Sequence, residues 1–133
     1  MTEYYLIRSA PHDKKCLFDS YRKVISFSPS KVTIVPAAVN TVSGYFLEDI
    51  FGSDGARKLQ NSREVTLLGV TYKVKSSRHL NPREEDGVIW VLSCSEDSMN
   101  KIEKCFNARA VVAMSHGITD LDKWANRIGA SPL

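Results

Sequence analysis

Short apolar runs alternate with amphipathic segments along this chain. The runs at residues 4–9, 31–38, 87–93 and 108–114 predict strands, and the last two are almost continuously apolar, as in strands covered on both faces. The segments between them repeat their apolar residues every three or four positions, which predicts helices. Strands that alternate with helices in this way are typical of an α/β domain with a largely parallel sheet.

Four amphipathic segments are predicted to cover the two faces of that sheet. Gly52 and Gly129 are predicted to end the second and the fourth helix, because a left-handed glycine commonly follows the last helical residue. Trp124 is expected to pack against the sheet, since it lies on the apolar face of its helix. The predicted apolar faces are Leu17, Tyr21, Val24 and Ile25 in the first helix, Val42, Phe46 and Ile50 in the second, Met99, Ile102 and Phe106 in the third, and Leu121, Trp124, Ala125 and Ile128 in the fourth.

The stretch at residues 65–75 differs, because its second half alternates apolar and polar residues. This alternation predicts a strand with one exposed face at an edge of the sheet, and Gly69 is expected to form a bulge. Residues 76–86 lack the apolar periodicity of a crossover helix, so this strand is predicted to run antiparallel to residues 87–93. The expected fold is a three-layer α/β/α, doubly wound (Rossmann-like) domain with a mixed five-stranded sheet and one antiparallel edge strand.

The composition supports one folded domain over residues 1–133. Hydrophobic residues make up 43% and charged residues 25%, which is ordinary for a globular protein and unlike a disordered chain. The formal net charge is +3, which is too small to indicate binding to nucleic acid or to a membrane surface. Composition therefore disfavours a nucleic-acid partner without excluding one, and it predicts no membrane partner.

The cysteines and the absent motifs bear on cofactors and location. Cys16, Cys94 and Cys105 are widely spaced, odd in number and without a CxxC pair, so the sequence predicts a reduced protein with no metal site. The sequence has no GxGxxG, P-loop or HExxH motif, and no cofactor is expected. It also lacks a signal-peptide pattern and an apolar run long enough to span a membrane, so a cytoplasmic protein is expected.

Polar residues collect where the predicted parallel strands end, which is where open α/β sheets bind ligands. A histidine beside an aspartate can serve as an acid/base pair, so His116, His12 and Asp13 are the candidate catalytic residues. Ser115 and His116 are adjacent in an extended segment and therefore do not form a dyad with each other. These polar residues are also suited to capping helices, which is the favoured interpretation. The candidate ligand-binding residues are Asn40, Thr41, Ser93, Ser95 and Ser115.

A basic cluster surrounds the loop that follows the predicted edge strand. Cations that lie close together can bind a phosphate group or an acidic surface of a partner protein. If the strand is antiparallel, this loop lies at the end of the sheet opposite the carboxyl-end loops. The candidate partner-binding residues are Lys73, Lys75, Arg78 and Arg83.

These features favour a small non-catalytic binding or regulatory domain that contacts a partner protein through its edge strand and basic hairpin. The edge strand also offers a route to an oligomer. The alternative is a small enzyme, or a protein that binds a nucleotide or another small phosphorylated ligand, with the carboxyl-end loops as the site. Enzymatic activity stays open, with a non-enzyme favoured, because no complete catalytic motif is present. The sequence resembles no characterised family beyond the general doubly wound architecture, which hosts many functions.

Overall fold

Helices and strands alternate in the structure as the sequence predicts. The computed structural model describes residues 2–9, 14–36, 48–76, 80, 87–92, 96–104, 108–116 and 122–132. These residues form an α/β domain with a mixed sheet and one antiparallel pair of strands, which confirms the predicted fold class. The elements are β1 Glu3–Ser9, α1 Lys14–Ser26, β2 Lys31–Val35, α2 Glu48–Asn61, β3 Glu64–Leu67, β4 Val70–Val74, β5 Val88–Val91, α3 Glu96–Ile102, β6 Ala110–His116, α4 Asp122–Ile128 and β7 Ser131–Pro132.

The sheet has seven strands in the described part of the chain, in the order β3-β4-β2-β5-β6-β1-β7. All neighbouring strands are parallel except β3 and β4, which form the antiparallel edge. The structure has two strands more than the sequence predicts. Residues 65–75 divide between β3 and β4, and the two residues of β7 pair with β1.

The direction of β4 differs from the prediction. β4 pairs in parallel with β2, and β2 pairs in parallel with β5, so β4 and β5 run in the same direction. The predicted antiparallel direction is wrong because the connection between β4 and β5 is long enough to cross β2, although its sequence lacks the periodicity of a crossover helix. Leu80 of this connection packs on the side of the sheet that carries α3 and α4. The antiparallel neighbour of β4 is instead the preceding strand, β3.

Different helices cover the two faces of the sheet. α1 and α2 pack on one face through residues such as Leu17 and Leu59, which we call the α1/α2 face. α3 and α4 pack on the other, the α3/α4 face, through residues such as Met99 and Trp124. α1 and α2 lie in connections that lead toward the β3 edge of the sheet, and α3 and α4 lie in connections that lead toward the β7 edge. This arrangement gives the helical crossovers between parallel strands one common hand.

Two residues that are predicted to lie on buried helix faces differ in their burial. Trp124 is fully buried, as expected, and its ring meets the ring of Tyr4 edge-on with the centroids 6.0 Å apart. Ile25 was expected on the buried face of α1, but 41% of its surface is exposed. Ile25 lies near the end of α1, where Val24 already occupies the position that faces the sheet.

α2 is interrupted at Gly52, the residue that was predicted to end it. The backbone of Gly52 has φ 74° and ψ 169°, a conformation that glycine adopts without steric strain. The helix resumes after this residue, and its second part is the longer one in the described chain. Phe51 and Leu59, on either side of the break, are both buried against the sheet. Val42 and Phe46 lie outside the described residues.

Candidate binding site

The antiparallel edge is a tight β-hairpin. Leu68 and Gly69 form the loop between β3 and β4, and their φ angles are 52° and 81°. A two-residue loop with both φ angles positive is the type I′ turn, which matches the twist of paired strands. Gly69 is therefore a turn residue and the predicted bulge is wrong. The side chain of Leu68 is 92% exposed at the tip of this hairpin.

β3 is the outer strand of the sheet, and among the described residues its backbone pairs with β4 alone. In an antiparallel pair, residues alternate between those whose N–H and C=O groups point to the neighbour and those whose groups point away. The N–H of Val74 donates to the carbonyl oxygen of Arg63 at 2.9 Å, which fixes the phase of this alternation. In the register of this pair, the backbone groups of Val65 face β4 and those of Glu64 and Thr66 point away from the sheet.

The hairpin is apolar on one face and polar on the other. On the α1/α2 face, Tyr72 is buried and packs edge-on against Phe51 with ring centroids 4.8 Å apart. On the α3/α4 face, Lys73 Nζ lies 3.5 Å from Glu64 Oε1. Toward the tip on the same face, the hydroxyl groups of the cross-strand pair Thr66 and Thr71 are 3.3 Å apart. The first face holds the hairpin on the domain, and the second presents polar groups to solvent.

A shallow depression of about 260 Å³ lies at the end of the hairpin away from the turn. We call it the foot depression. Three of its six lining side chains are cationic and one is a carboxylate, so its described surroundings carry net positive charge. The next acidic residues along the chain, Glu84, Glu85 and Asp86, lie outside the described residues. The lining residues are Ser62, Arg63, Glu64, Lys73, Val74 and Lys75.

Two of the four predicted partner-binding residues, Lys73 and Lys75, line the foot depression. Arg78 and Arg83 lie outside the described residues, so their place near it stays a prediction. Arg63 also lines the depression, and sequence reasoning missed it. A single cation just before a strand does not by itself indicate a binding site. The position of Arg63 opposite the end of β4 can be recognised only when residues 65–75 are known to form a hairpin.

The foot depression lies at the same edge of the sheet as the ends of the parallel strands. The N–H of Lys75 donates to the carbonyl oxygen of Ile34 at 3.0 Å, beside the carboxyl end of β2. The expectation that the basic cluster lies at the opposite end is therefore wrong for Lys73 and Lys75. It followed from the antiparallel direction that was assigned to β4, and β4 is parallel to β2.

The candidate catalytic histidine belongs to a strand rather than to a loop. Ser115 and His116 are the last residues of β6, whereas the sequence predicts that they follow the strand. They are register partners of Arg8 and Ser9, the last residues of β1. The backbone of His116 therefore lies beside the point where β1 leads into the loop that contains two further candidates. His12 and Asp13 of that loop lie outside the described residues, as do Asn40, Thr41, Ser93 and Ser95.

Three polar side chains buried on the α1/α2 face, those of Ser20, Tyr72 and Trp90, form hydrogen bonds within the core. The indole N–H of Trp90 donates to Ser20 Oγ at 3.0 Å, and the Ser20 hydroxyl donates to the Leu17 carbonyl oxygen at 2.8 Å. Burial raises the pKa of the Tyr72 hydroxyl, and a hydrogen bond with Tyr21 raises it further. These groups are enclosed by the helices and the sheet, so they fix packing and do not form a site.

The described residues include neither a metal-binding cluster nor a membrane-spanning helix. They contain no group of three or more histidine, cysteine, aspartate or glutamate side chains that could hold a metal ion. None of the described helices is both long and apolar enough to cross a membrane. Comparison with protein-family models, curated proteins and solved structures finds no match for this chain. The hairpin and the carboxyl-end edge of the sheet are therefore the two candidate sites.

Proposed function

We propose that this chain is a non-catalytic binding or regulatory domain that contacts a partner protein through β3 and the basic hairpin. The observation that carries the proposal is the outer edge of β3, where the backbone groups of Glu64 and Thr66 point away from the sheet. An extended segment of a partner can add to such an edge as a further strand, with main-chain hydrogen bonds supplying affinity.

The two edges of the sheet differ in how well they can accept a strand. β7 has two residues, and one of them is Pro132, which has no N–H to donate. β3 has four residues and no proline, and the charge of Glu64 is already paired with Lys73. Natural edge strands are usually protected by prolines, charged side chains, bulges, short length or a covering element. Over its four residues β3 has neither a proline nor a bulge, which supports the proposal that this edge binds a partner.

The proposal also includes a cytoplasmic location and a reduced protein. This part of the proposal rests on the three cysteines, which are widely spaced, odd in number and without a pairing pattern.

A strand-forming peptide and a proline variant test the proposal. A fluorescent peptide of alternating valine and threonine is titrated with the protein, and binding is followed by fluorescence anisotropy. Thr66→Pro removes an N–H that points away from the hairpin, so it should weaken binding by about tenfold while leaving the fold intact. Thr66→Val keeps the N–H and should bind within about twofold of the unchanged protein. Circular dichroism of each variant checks that the domain is folded.

The proposal fails if the unchanged protein binds no strand-forming peptide, or if the proline variant binds as well as the valine variant. The valine variant is the matched control because it alters the side chain at the same position without altering the backbone.

A second candidate is a small enzyme or a nucleotide-binding protein that uses the carboxyl-end loops. It is supported by the register of Ser9 with His116 and by the parallel direction of β4, which brings Lys75 to the same edge. On this alternative, pyrophosphate or a nucleoside triphosphate should raise the unfolding temperature, and His116→Ala should abolish that rise. An unchanged rise in the His116 variant would count against this site.

A further inference from the structure

The foot depression indicates the chemistry of the segment that β3 accepts, provided that β3 binds a partner as proposed above. A strand added to β3 would use the outward groups of Glu64 and Thr66, and its next residues would extend past Glu64 toward Ser62. The foot depression lies there, with Arg63 and Lys75 among its lining residues. One end of the added segment would therefore lie over a positively charged surface.

The side chain of the added strand that lies opposite Glu64 is also restricted in its charge. Glu64 is half-exposed and bonded to Lys73, so an acidic side chain placed directly opposite it would meet a like charge at close range. A hydroxyl or neutral side chain at that position avoids this repulsion. The anionic group then belongs further along, two residues past the position that faces Glu64, because alternate residues of a strand lie on the same face.

A second copy of this chain fits these conditions less well. In a two-fold arrangement centred on Val65, the outward residues of both copies are used, and Glu64 faces Thr66 of the second copy. The same register places Leu68 of the second copy opposite Ser62. A leucine brings no negative charge to the foot depression, so self-pairing adds no electrostatic attraction there.

We infer that the partner is an extended protein segment with an acidic end, and that its anionic side chain lies over the foot depression. The positive charge of the depression attracts that end, while the backbone groups of Glu64 and Thr66 hold the strand. The interaction divides into a main-chain part at β3 and an electrostatic part at Arg63, Lys73 and Lys75. Exposed cations are screened by salt, so the electrostatic part should weaken as ionic strength rises.

Peptides with different ends separate the two parts. Alternating valine and threonine peptides carry a pair of glutamates at the N-terminal end, the same pair at the C-terminal end, or glutamines in their place. The better glutamate peptide should bind about fivefold more tightly than the glutamine peptide at low salt. Which glutamate peptide binds better reveals the direction of the added strand. A phosphoserine version distinguishes a phosphorylated segment from a carboxylate one, and tighter binding of either supports the inference.

Charge variants assign the effect to the foot depression. The double variant Arg63→Gln, Lys75→Gln should lose the advantage of the acidic end and retain binding of the glutamine peptide. The matched control is Arg22→Gln, Arg57→Gln, which removes the same charge from side chains that are 76% and 71% exposed on α1 and α2. It should keep most of the advantage.

Equal binding of the glutamate and glutamine peptides overturns the inference and leaves strand addition standing. Binding that Thr66→Pro does not weaken overturns both. The chain alone is also examined by sedimentation equilibrium. A dimer that Thr66→Pro dissociates, together with failure of every peptide to bind, would identify a second copy as the occupant and overturn the acidic segment.

Discussion

The β3–β4 hairpin and the central strand β5 are held in the same sheet in different ways. All residues of Val88–Val91 are buried because helices cover β5 on both faces. In β4, Tyr72 and Val74 are buried, whereas Lys73 between them is partly exposed. A near-continuous apolar run thus marks a strand with two covered faces, and an alternating run marks a strand with one.

The difference shows what the hydrophobic pattern can report and what it omits. It reports how many faces of a strand are covered, because burial selects apolar side chains. It does not report direction, since β4 alternates although it lies parallel to β2 and inside the edge strand β3. The outward backbone groups of β3 and the cations of the foot depression both lie at this half-covered end of the sheet.

The largest effect on stability is expected in the part of the sheet that helices cover on both faces. Trp124→Ala should lower the free energy of unfolding by about 3–5 kcal/mol, because it removes a large, fully buried side chain from the α3/α4 face. Ile25→Ala is the control, since Ile25 is 41% exposed, and it should cost less than about 1 kcal/mol. Urea unfolding of both variants checks this prediction. Similar losses of unfolding free energy in the two variants would contradict the difference in burial between Trp124 and Ile25.

Most of the central fold could be predicted, because each central strand and helix carries its own periodic signal. Met99, Ile102 and Trp124 are buried as their helical spacing predicts. The hairpin was missed because Leu68 occupies a turn position where asparagine or glycine is usual, which makes residues 65–75 look like one strand. The parallel direction of β4 was missed because its crossover has no helical periodicity.

The candidate site could be predicted only in part. Lys73 and Lys75 stood out as neighbouring cations on an alternating strand, and both line the foot depression. Arg63 could not be found, because its proximity depends on a non-local pairing with Val74. The outward direction of the Glu64 and Thr66 backbone groups follows from the register of a hairpin and not from side-chain types.

A smaller effect is expected at the buried side of the hairpin, and it depends on pH. Tyr72→Phe should cost about 1 kcal/mol at neutral pH through loss of the hydrogen bond with Tyr21. Burial raises the pKa of Tyr72 in the folded protein above the value of about 10 in the unfolded chain. The contribution of the protonated hydroxyl is therefore complete below pH 10 and is lost as the pH rises toward the folded pKa.

Stability measured from pH 8 to pH 12 checks this sign. The unchanged protein should lose stability above pH 10 more steeply than Tyr72→Phe, so the two curves converge. Tyr5→Phe serves as a comparison, because the pKa of the Tyr5 hydroxyl is raised mainly by its surface hydrogen bond to Glu3 and only secondarily by burial. If the stability of Tyr72→Phe changes with pH in parallel with that of the unchanged protein, burial does not raise the pKa of the Tyr72 hydroxyl as described.

The smallest effect is expected at the tip of the hairpin, and it should be favourable. Leu68 is 92% exposed and has φ 52°, so it loses little burial when replaced and holds a strained backbone. Leu68→Asn produces the Asn-Gly pair that type I′ turns favour and should stabilise the domain by about 0.5–1 kcal/mol. Leu68→Ala tests the reason, because alanine removes the same exposed surface but has no preference for positive φ. If both variants stabilise the domain equally, the gain comes from removing exposed apolar surface, and the turn geometry assigned to the hairpin does not explain it.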